Sequence, residues 1–488
     1  MGDTIAWAWE LLQLLLIWGH LFLVVAFTVR VIMLRLPVGV SLAWLLVLVL
    51  LPYVGVGLYL LFGERFLGVA RSARTARLKH AYLSARDQDS HKSPSYWRDC
   101  HRASQALARL EYHTSGIPPL GGNKVDFVQG ARGIIKAMVA DINRAEHFCH
   151  LEFYIWQSGG LVDDVVEALL AAAKRGVQCR IMLDAVGSSE FFASRQLNVL
   201  RVPNITVIKA CPIRFMPWQL ARYDLRNHRK TVVIDNRVAY MGSFNLVDPA
   251  QFKVDAGVGQ WIDMMARIEG PAVPVFDGVF RWYWNIETDH QLPVLELGPE
   301  PRDPAATALL QAAPSGPDSA QESILSALLQ AIYTAATTVD IVTPYFVPGE
   351  ALEQALKIAA RRGVQVRLIV PEKVDSFLVR HASHSYFAGL LEAGVEVYQY
   401  RAGLLHTKAV VIDSALAFFG TVNLDLRSLW LNFEMTMIIY DGTTAAELAR
   451  LLDEYRLDAE PLYANAWRQR SVLARFFENI THLFSPLI

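Results

Sequence analysis

Two long apolar runs open the chain, and beyond residue 115 the pattern changes to short apolar stretches alternating with amphipathic ones. Ile5 to Val29 is interrupted only by Glu10, Gln13 and His20, and Val38 to Phe62 carries no charge. Each run is about as long as a helix needs to cross a hydrocarbon core, so a transmembrane helical hairpin is predicted over residues 1–63. Trp7, Trp9, Trp44 and Tyr59 suit interfacial anchoring. Pro52, Gly55 and Gly57 would kink or loosen the second helix, which membrane helices tolerate. A cleaved signal peptide fits badly, because Asp3 and Glu10 stand in place of a basic leader and a second apolar run follows. Two crossings put both ends on one side. Arg30 and Arg35 flank the short loop, whereas Arg65, Arg71, Arg74, Arg77 and Lys79 follow the second run, so that side is expected to be the cytoplasm. Glu10 and Gln13 leave an interfacial or re-entrant course open for the first helix.

Residues 64–115 are polar and basic and read as a juxtamembrane connector. Strand and helix patterns then alternate. His150 to Trp156 reads as a strand, Leu161 to Lys174 as a helix and Val177 to Leu183 as a buried strand. Val339 to Phe346, Ala351 to Arg361 and Val364 to Val370 repeat the series, and Arg175-Gly-Val-Gln-x-Arg180 returns as Arg362-Gly-Val-Gln-x-Arg367. The chain is therefore a tandem duplication of parallel-rich α/β units. A first domain is expected over residues 116–291 and a second over 321–488. Residues 292–320, rich in Pro, Gly, Ala and Ser, read as a linker. The tail from Val472 carries Phe476, Phe477, Leu483, Phe484 and Leu487 beside Arg475. It is expected to bury itself against the second domain, with docking on a membrane surface as the alternative.

The duplication also repeats a chemical motif. His228-Arg-Lys230-Thr-Val-Val-Ile-Asp235 is followed by Gly242-Ser243-Phe-Asn245-Leu246, and His406-Thr-Lys408-Ala-Val-Val-Ile-Asp413 by Gly420-Thr421-Val-Asn423-Leu424. Two imidazoles converging on one phosphodiester can share the work, one attacking phosphorus and the other moving protons on and off the alcohol oxygens. Lys230 and Lys408, two positions along an alternating strand, point the same way as their histidines. With Asn245 and Asn423 they can hold the non-bridging oxygens, and Ser243 and Thr421 can add hydroxyl donors. Asp235 and Asp413 lie an odd number of residues on, facing the other way, and read as scaffolding of the motif. Glu434 and Asp263 are candidate carboxylates for orienting the imidazoles.

The formal net charge is −1, which gives no support for bulk nucleic-acid binding. Hydrophobic residues form 53% of the chain and mean hydropathy is +0.25, both high for a soluble enzyme. Cys100, Cys149, Cys179 and Cys211 are scattered and read as small buried hydrophobes in a reducing compartment. His381-x-x-His384 is a weak metal pattern, no other set has ligand spacing, and Gly257-Val-Gly259 lacks a third glycine. Arg214, Phe215, Met216, Trp218, Arg222, Arg226 and Arg229 form a basic-aromatic stretch, either a solvated rim or a collector of anionic headgroups.

The paired motifs resemble those of the phospholipase D superfamily, and the wider pattern is similar to bacterial cardiolipin synthases of the two-helix, membrane-anchored type. Glu152-Phe-Tyr-Ile-Trp156, Asp255 to Trp261, Thr343-Pro-Tyr-Phe-Val-Pro348, Gly403-Leu-Leu-His406 and Gly420 to Glu434 carry the likeness. It implies two tandem αβα-sandwich domains related by a pseudo-two-fold axis. It also implies that two phosphatidylglycerols become cardiolipin and glycerol through a phosphohistidine, with no metal or nucleotide cofactor. His228 would be the nucleophile and His406 the acid/base. The partners implied are membrane lipids rather than nucleic acid, at the bacterial cytoplasmic membrane. A membrane phospholipase D hydrolase, or a phosphatidyltransferase using another alcohol, is the nearest alternative. A nuclease and a non-catalytic scaffold stand further off, and the oligomeric state, with a homodimer as one candidate, is left open.

Overall fold

The computed structural model describes residues 2–36, 38–51, 53–64, 71, 73–75, 102–213, 222, 224–288, 291–293, 306–318 and 323–483. Pro52, Arg65, Arg77, Lys79, Cys100, Arg214, Phe215, Met216, Trp218, Phe484 and Leu487 lie outside the described residues. The chain divides into two compact units, Met1–Ser72 with Ile213–Leu225, and Ala73–Pro212 with Arg226–Ile488.

In the first unit, Gly2–Met33 forms one helix, and its stretch Ile5–Met33 is long and apolar enough to cross a membrane. The second apolar run departs from the single helix expected. It forms two helices, Val38–Leu50 and Val54–Phe62, each short of the ~20 residues a crossing needs. Tyr53 between them has a left-handed φ of 58°, which no continuous helix accommodates. Gly55 then lets the second piece approach the first, because a Cβ there would stand 2.4 Å from the Val47 carbonyl oxygen. Val31, Leu48, Val56 and Tyr59 make a small shared core. Arg30 pairs with Glu64, which also accepts from the Tyr59 hydroxyl at 3.0 Å.

The second unit is organised by one continuous sheet of fifteen strands. From one edge the order is Ile205–Ala210, Gln178–Asp184, Phe148–Phe153, Thr231–Ile234, Val238–Gly242, Met264–Glu269 and Leu120–Gln129. It continues through Ala308–Ser315, Glu434–Ile439, Leu416–Gly420, Ala409–Ile412, Thr338–Val342, Gln365–Pro371 and Glu396–Tyr400 to Ala459–Pro461. Apart from the last strand, the second list mirrors the first, so the two repeats are related by a pseudo-two-fold between Leu120–Gln129 and Ala308–Ser315. In each repeat a group of three strands pairs in parallel and the inner strands antiparallel, and the added edge strand Ala459–Pro461 pairs antiparallel with Glu396–Tyr400.

Strand alternation assigns the faces. Cys149, Leu151 and Phe153 join a core with helices Ala131–Arg144 and Val162–Lys174. His150 points the other way, where its Nδ1 lies 2.6 Å from Asp277 on helix Val273–Glu287. Helices thus cover both faces.

Three expectations change. Residues 308–315, read as linker, form a fully buried strand at the centre of the sheet. Its Ala-Leu-Leu-Gln-Ala-Ala-Pro-Ser run has linker-like composition, yet small side chains are what a strand between two tightly paired neighbours accommodates. Residues 102–115, read as connector, form a helix whose Leu107 and Ala108 belong to the second repeat's core. The tail does form a helix, Val472–Leu483, but Val472, Leu473, Phe476, Phe477 and Leu483 are exposed, and burial instead takes Glu478 and Thr481.

Candidate active site

Each histidine lies just before the strand of its motif, and both motifs are buried at the seam between the repeats. The seam is a backbone exchange. The His228 N–H donates to the Phe433 carbonyl at 2.9 Å, and the His406 N–H to the Ile262 carbonyl at 2.8 Å. Leu404–Leu405 pairs in parallel with Trp261–Ile262, and Asn227 bridges Phe433 in the same sense. Each segment that ends in a histidine therefore runs alongside the segment that ends in the other repeat's carboxylate.

The carboxylates are crossed as a result. His228 Nδ1 lies 2.9 and 3.0 Å from the two oxygens of Glu434, and His406 Nδ1 lies 2.7 Å from Asp263 Oδ1. The order of residues suggests the opposite pairing, each histidine with the carboxylate that follows it. With Nδ1 tied to a carboxylate, Nε2 is the nitrogen left to react.

Ser243 and Thr421 serve these carboxylates and not, as expected, a phosphate. The Ser243 hydroxyl donates to Asp263 at 2.6 Å, and the Thr421 hydroxyl donates to Glu434. Both hydroxyls also accept the backbone N–H of the residue following the carboxylate, at 3.1 and 2.9 Å. The preceding glycines make this possible. A Cβ at Gly242 would stand 2.4 Å from the Met264 carbonyl, and one at Gly420 would stand 2.2 Å from that of Met435.

The two ammonium groups fold back on their own motifs. Lys230 donates to the His228 carbonyl at 2.6 Å, and Lys408 donates to that of His406. Asn245 accepts from the Ile155 N–H at 3.1 Å, which fixes its amide, and Asn423 donates to Ser428 Oγ at 3.3 Å. Asp235 and Asp413 lie away from this set. Asp235 accepts the N–H groups of Glu146, His147 and Phe148, and Asp413 those of Ala336, Thr337 and Thr338. Both clamp the turn before the neighbouring strand, so the third member of each motif is structural.

Burial dominates the electrostatics. It pulls both His228 and His406 down to about 4 against the opposing pull of their carboxylates, so burial favours the neutral imidazole at both positions near neutral pH. It also lowers Lys230 to about 8 and takes Lys408 well below the usual lysine range. Burial pushes Asp263 up, but the charge of His406 and its hydrogen bond hold that carboxyl below its ordinary value. Each histidine feels the lysine of the other repeat as well as its own, so the two sets make a single site.

Three further contributors were not among the residues expected to form the site. The Tyr154 ring packs 4.9 Å from His228, and the Trp261 ring 4.4 Å from His406. Arg229 is fully buried, and so fits neither the solvated rim nor the headgroup-collecting surface expected of its stretch. Its Nε donates to the Glu434 carbonyl at 2.9 Å, and its guanidinium lies 3.7 Å from the Tyr283 ring centroid. Arg226 is buried too, 3.5 Å from Asp184. A charged residue between His228 and Lys230, on the strand face opposite to theirs, was the available signal for Arg229. Of that basic stretch, Arg222 belongs to the first unit and pairs with Asp224.

Two crossed histidine–carboxylate pairs on a duplicated sheet define a phospholipase D-like site, and the comparisons agree. Residues 138–262 and 328–456 each match the model described as cardiolipin synthase, phospholipase D-like domain, and residues 22–64 match the phospholipase D-nuclease N-terminal model. Cardiolipin synthase A of Serratia proteamaculans is 42% identical over 97% of this chain and 98% of its own. That of Yersinia pseudotuberculosis is also 42% identical, with the same coverage. The chain belongs to the cardiolipin synthase family of phospholipase D-like proteins. Among solved structures, phosphatidylserine synthase from Haemophilus influenzae shares the fold at a TM-score of 0.55 and 14% identity, covering 78% of this chain and all of its own.

Proposed function

We propose that this protein joins two phosphatidylglycerol molecules into cardiolipin, releasing glycerol, by double displacement at the crossed histidine pair. His228 Nε2 attacks the phosphorus of the first lipid, and the phosphorus–oxygen bond to glycerol breaks as His406 protonates the leaving oxygen. The product of this half is a phosphatidyl group on His228. His406, now neutral, takes the proton from a glycerol hydroxyl of the second lipid. That oxygen attacks phosphorus and frees His228. Lys230, Lys408, Asn245 and Asn423 hold the non-bridging oxygens, and Glu434 and Asp263 orient the rings. One phosphodiester replaces another, so no nucleotide is needed to drive the exchange.

The observation that carries this reading is the crossed pairing, which ties Nδ1 of two imidazoles in one buried site to carboxylates and leaves Nε2 of each without a hydrogen-bond partner among the described residues. Burial favours the neutral form of both rings. The negative charge of an arriving phosphodiester raises their affinity for a proton, so the acid is armed by its substrate. The apolar N-terminal helix supports work at a membrane, and the basic residues after Phe62 support a site on its cytoplasmic face.

The test is mass-spectrometric product analysis of the purified full chain with pure phosphatidylglycerol bilayers. Cardiolipin and glycerol in equal amounts are expected. Phosphatidic acid without cardiolipin would replace the synthase reading with a hydrolase. Adding phosphatidylethanolamine and looking for free ethanolamine defines the donor range.

A further inference from the structure

The helix Val472–Leu483 is amphipathic, but turned inside out. Its polar side is the one packed inward. Glu478 is buried, lies 3.6 Å from His384 and pairs with Arg470, and His482 Nδ1 lies 3.2 Å from Ser385 Oγ on helix Phe377–Glu392. Its apolar side points away from the protein, with Leu473 65%, Phe476 57% and Phe477 49% exposed. A surface helix of a soluble domain does the reverse. Phe377 and Leu378, at the start of the neighbouring helix, are exposed as well.

The position of this patch connects it to the chemistry. Asp375, two residues before Phe377, accepts from the Tyr345 hydroxyl at 2.7 Å and from Lys253 at 2.8 Å. Lys253 Nζ lies 5.6 Å from the centroid of the Trp261 ring, which packs on His406. A short line of contacts therefore runs from Asp375, which precedes the exposed Phe377 and Leu378 in the chain, to the second histidine. Exposed Lys373 and Arg380 stand beside Phe377 and Leu378 and suit anionic headgroups.

We propose that the outward faces of these two helices form a bilayer-docking surface, seated at the headgroup–acyl boundary of an anionic membrane, through which lipid reaches the His406 side of the site. This rests on the lipid reading of the site but reaches beyond it. A chain with an apolar N-terminal helix already has a membrane within reach, and both substrates of the proposed reaction are lipids. A second copy of this chain is the competing occupant, and the experiment separates the two.

The full chain, carrying single cysteines at Leu473 or Phe477 on a background free of its own four, is labelled with a fluorophore. It is then placed in phosphatidylglycerol nanodiscs that contain nitroxide-labelled lipid. Strong quenching at both positions is expected, with none at a control label on Lys174. No quenching at 473 and 477 would overturn the proposal, as would cross-linking of the same cysteines between two copies. Activity gives a second reading. The F476D/F477D variant should lose about tenfold or more on bilayer substrate and less than about twofold on a water-soluble short-chain phosphatidylglycerol. Equal losses on both substrates would mean a structural role and overturn the docking surface. Failure of wild type to make any cardiolipin-like product would instead strike the functional reading, and leave the quenching result standing.

Discussion

The two halves of the active site share a plan but differ in how each carboxylate is satisfied. Glu434 meets His228 with both oxygens and also receives Thr421 and the Asn432 amide, the latter at 3.3 Å. Asp263 offers Oδ1 alone to both His406 and Ser243, and its Oδ2 is buried without a hydrogen-bond partner among the described residues. A carboxylate whose charge is spread over several donors does less to attract a proton to its histidine. One with an unsatisfied buried oxygen does more, because protonating the ring relieves it. The proposed division of labour, a nucleophilic His228 and a proton-carrying His406, can be tested through this asymmetry. The packing rings differ in the same sense, Tyr154 beside His228 and Trp261 beside His406.

Removing either imidazole should have the largest effect. H228A and H406A are each expected to lower turnover of phosphatidylglycerol by roughly 10⁴-fold or more. A donor with a p-nitrophenol leaving group separates the roles, since that group departs without a proton. On this donor H406A should still release a burst of nitrophenol and accumulate phosphatidyl-enzyme, while H228A should not. A burst in H228A alone would exchange the assignments. The carboxylates come next. D263N and E434Q should each cost on the order of 10²–10³-fold with phosphatidylglycerol. With the nitrophenol donor, D263N should recover most of its loss and E434Q little. Equal recovery would mean that the asymmetry of the two carboxylates has no mechanistic weight.

Much of this site was legible in the sequence because its parts recur. The repeat exposed every residue proposed to react, and strand alternation separated Asp235 and Asp413 from the inward-facing set. The partners of the histidines were not legible. Residue order pairs each histidine with the carboxylate downstream, whereas the fold closes the two repeats against each other and exchanges them. Neither Glu434 nor Asp263 announces which histidine it serves, because the pairing depends on two short parallel bridges between segments far apart in the chain. Ala308–Ser315 failed for a different reason. Its small residues carry no strand signal of their own, and only the central position between two paired neighbours makes it a strand. The tail from Val472 was recognisable as apolar, but neither its helix nor the side the protein would keep was read from the sequence.

Ser243 and Thr421 test the halves more gently. Because each hydroxyl holds a carboxylate and not a phosphate, S243A and T421A should lower kcat by about tenfold with KM nearly unchanged. A raised KM at constant kcat would restore them to the phosphate site. S243A should be the more damaging, because Asp263 has fewer other donors.

The smallest expected effect is a change in the pH dependence of stability. His228 and His406 are held at about 4 in the folded protein, against 6.5 when unconstrained. Below pH 6.5 the unfolded chain therefore takes up protons that the folded chain refuses. Stability is full above 6.5 and falls as pH drops toward 4, where the folded site begins to protonate as well. Each ring contributes a slope of at most ~1.4 kcal/mol per pH unit within that window. Glu111, raised by burial to about 8, and Asp425, raised to about 6, oppose this trend, since their protonated forms favour the folded state at lower pH. His150, buried and lowered, adds to it. The wild-type curve alone is therefore ambiguous, and the difference from a variant is what isolates each ring. Asparagine keeps a donor for the carboxylate without a titrating ring, so H228N and H406N should each flatten the fall between pH 6.5 and 4. Denaturant unfolding of the full chain in detergent at pH 7, 5.5 and 4.5 measures the difference. Curves parallel to wild type would mean that the imidazoles are not held neutral by burial, and that the acid is already charged before substrate arrives.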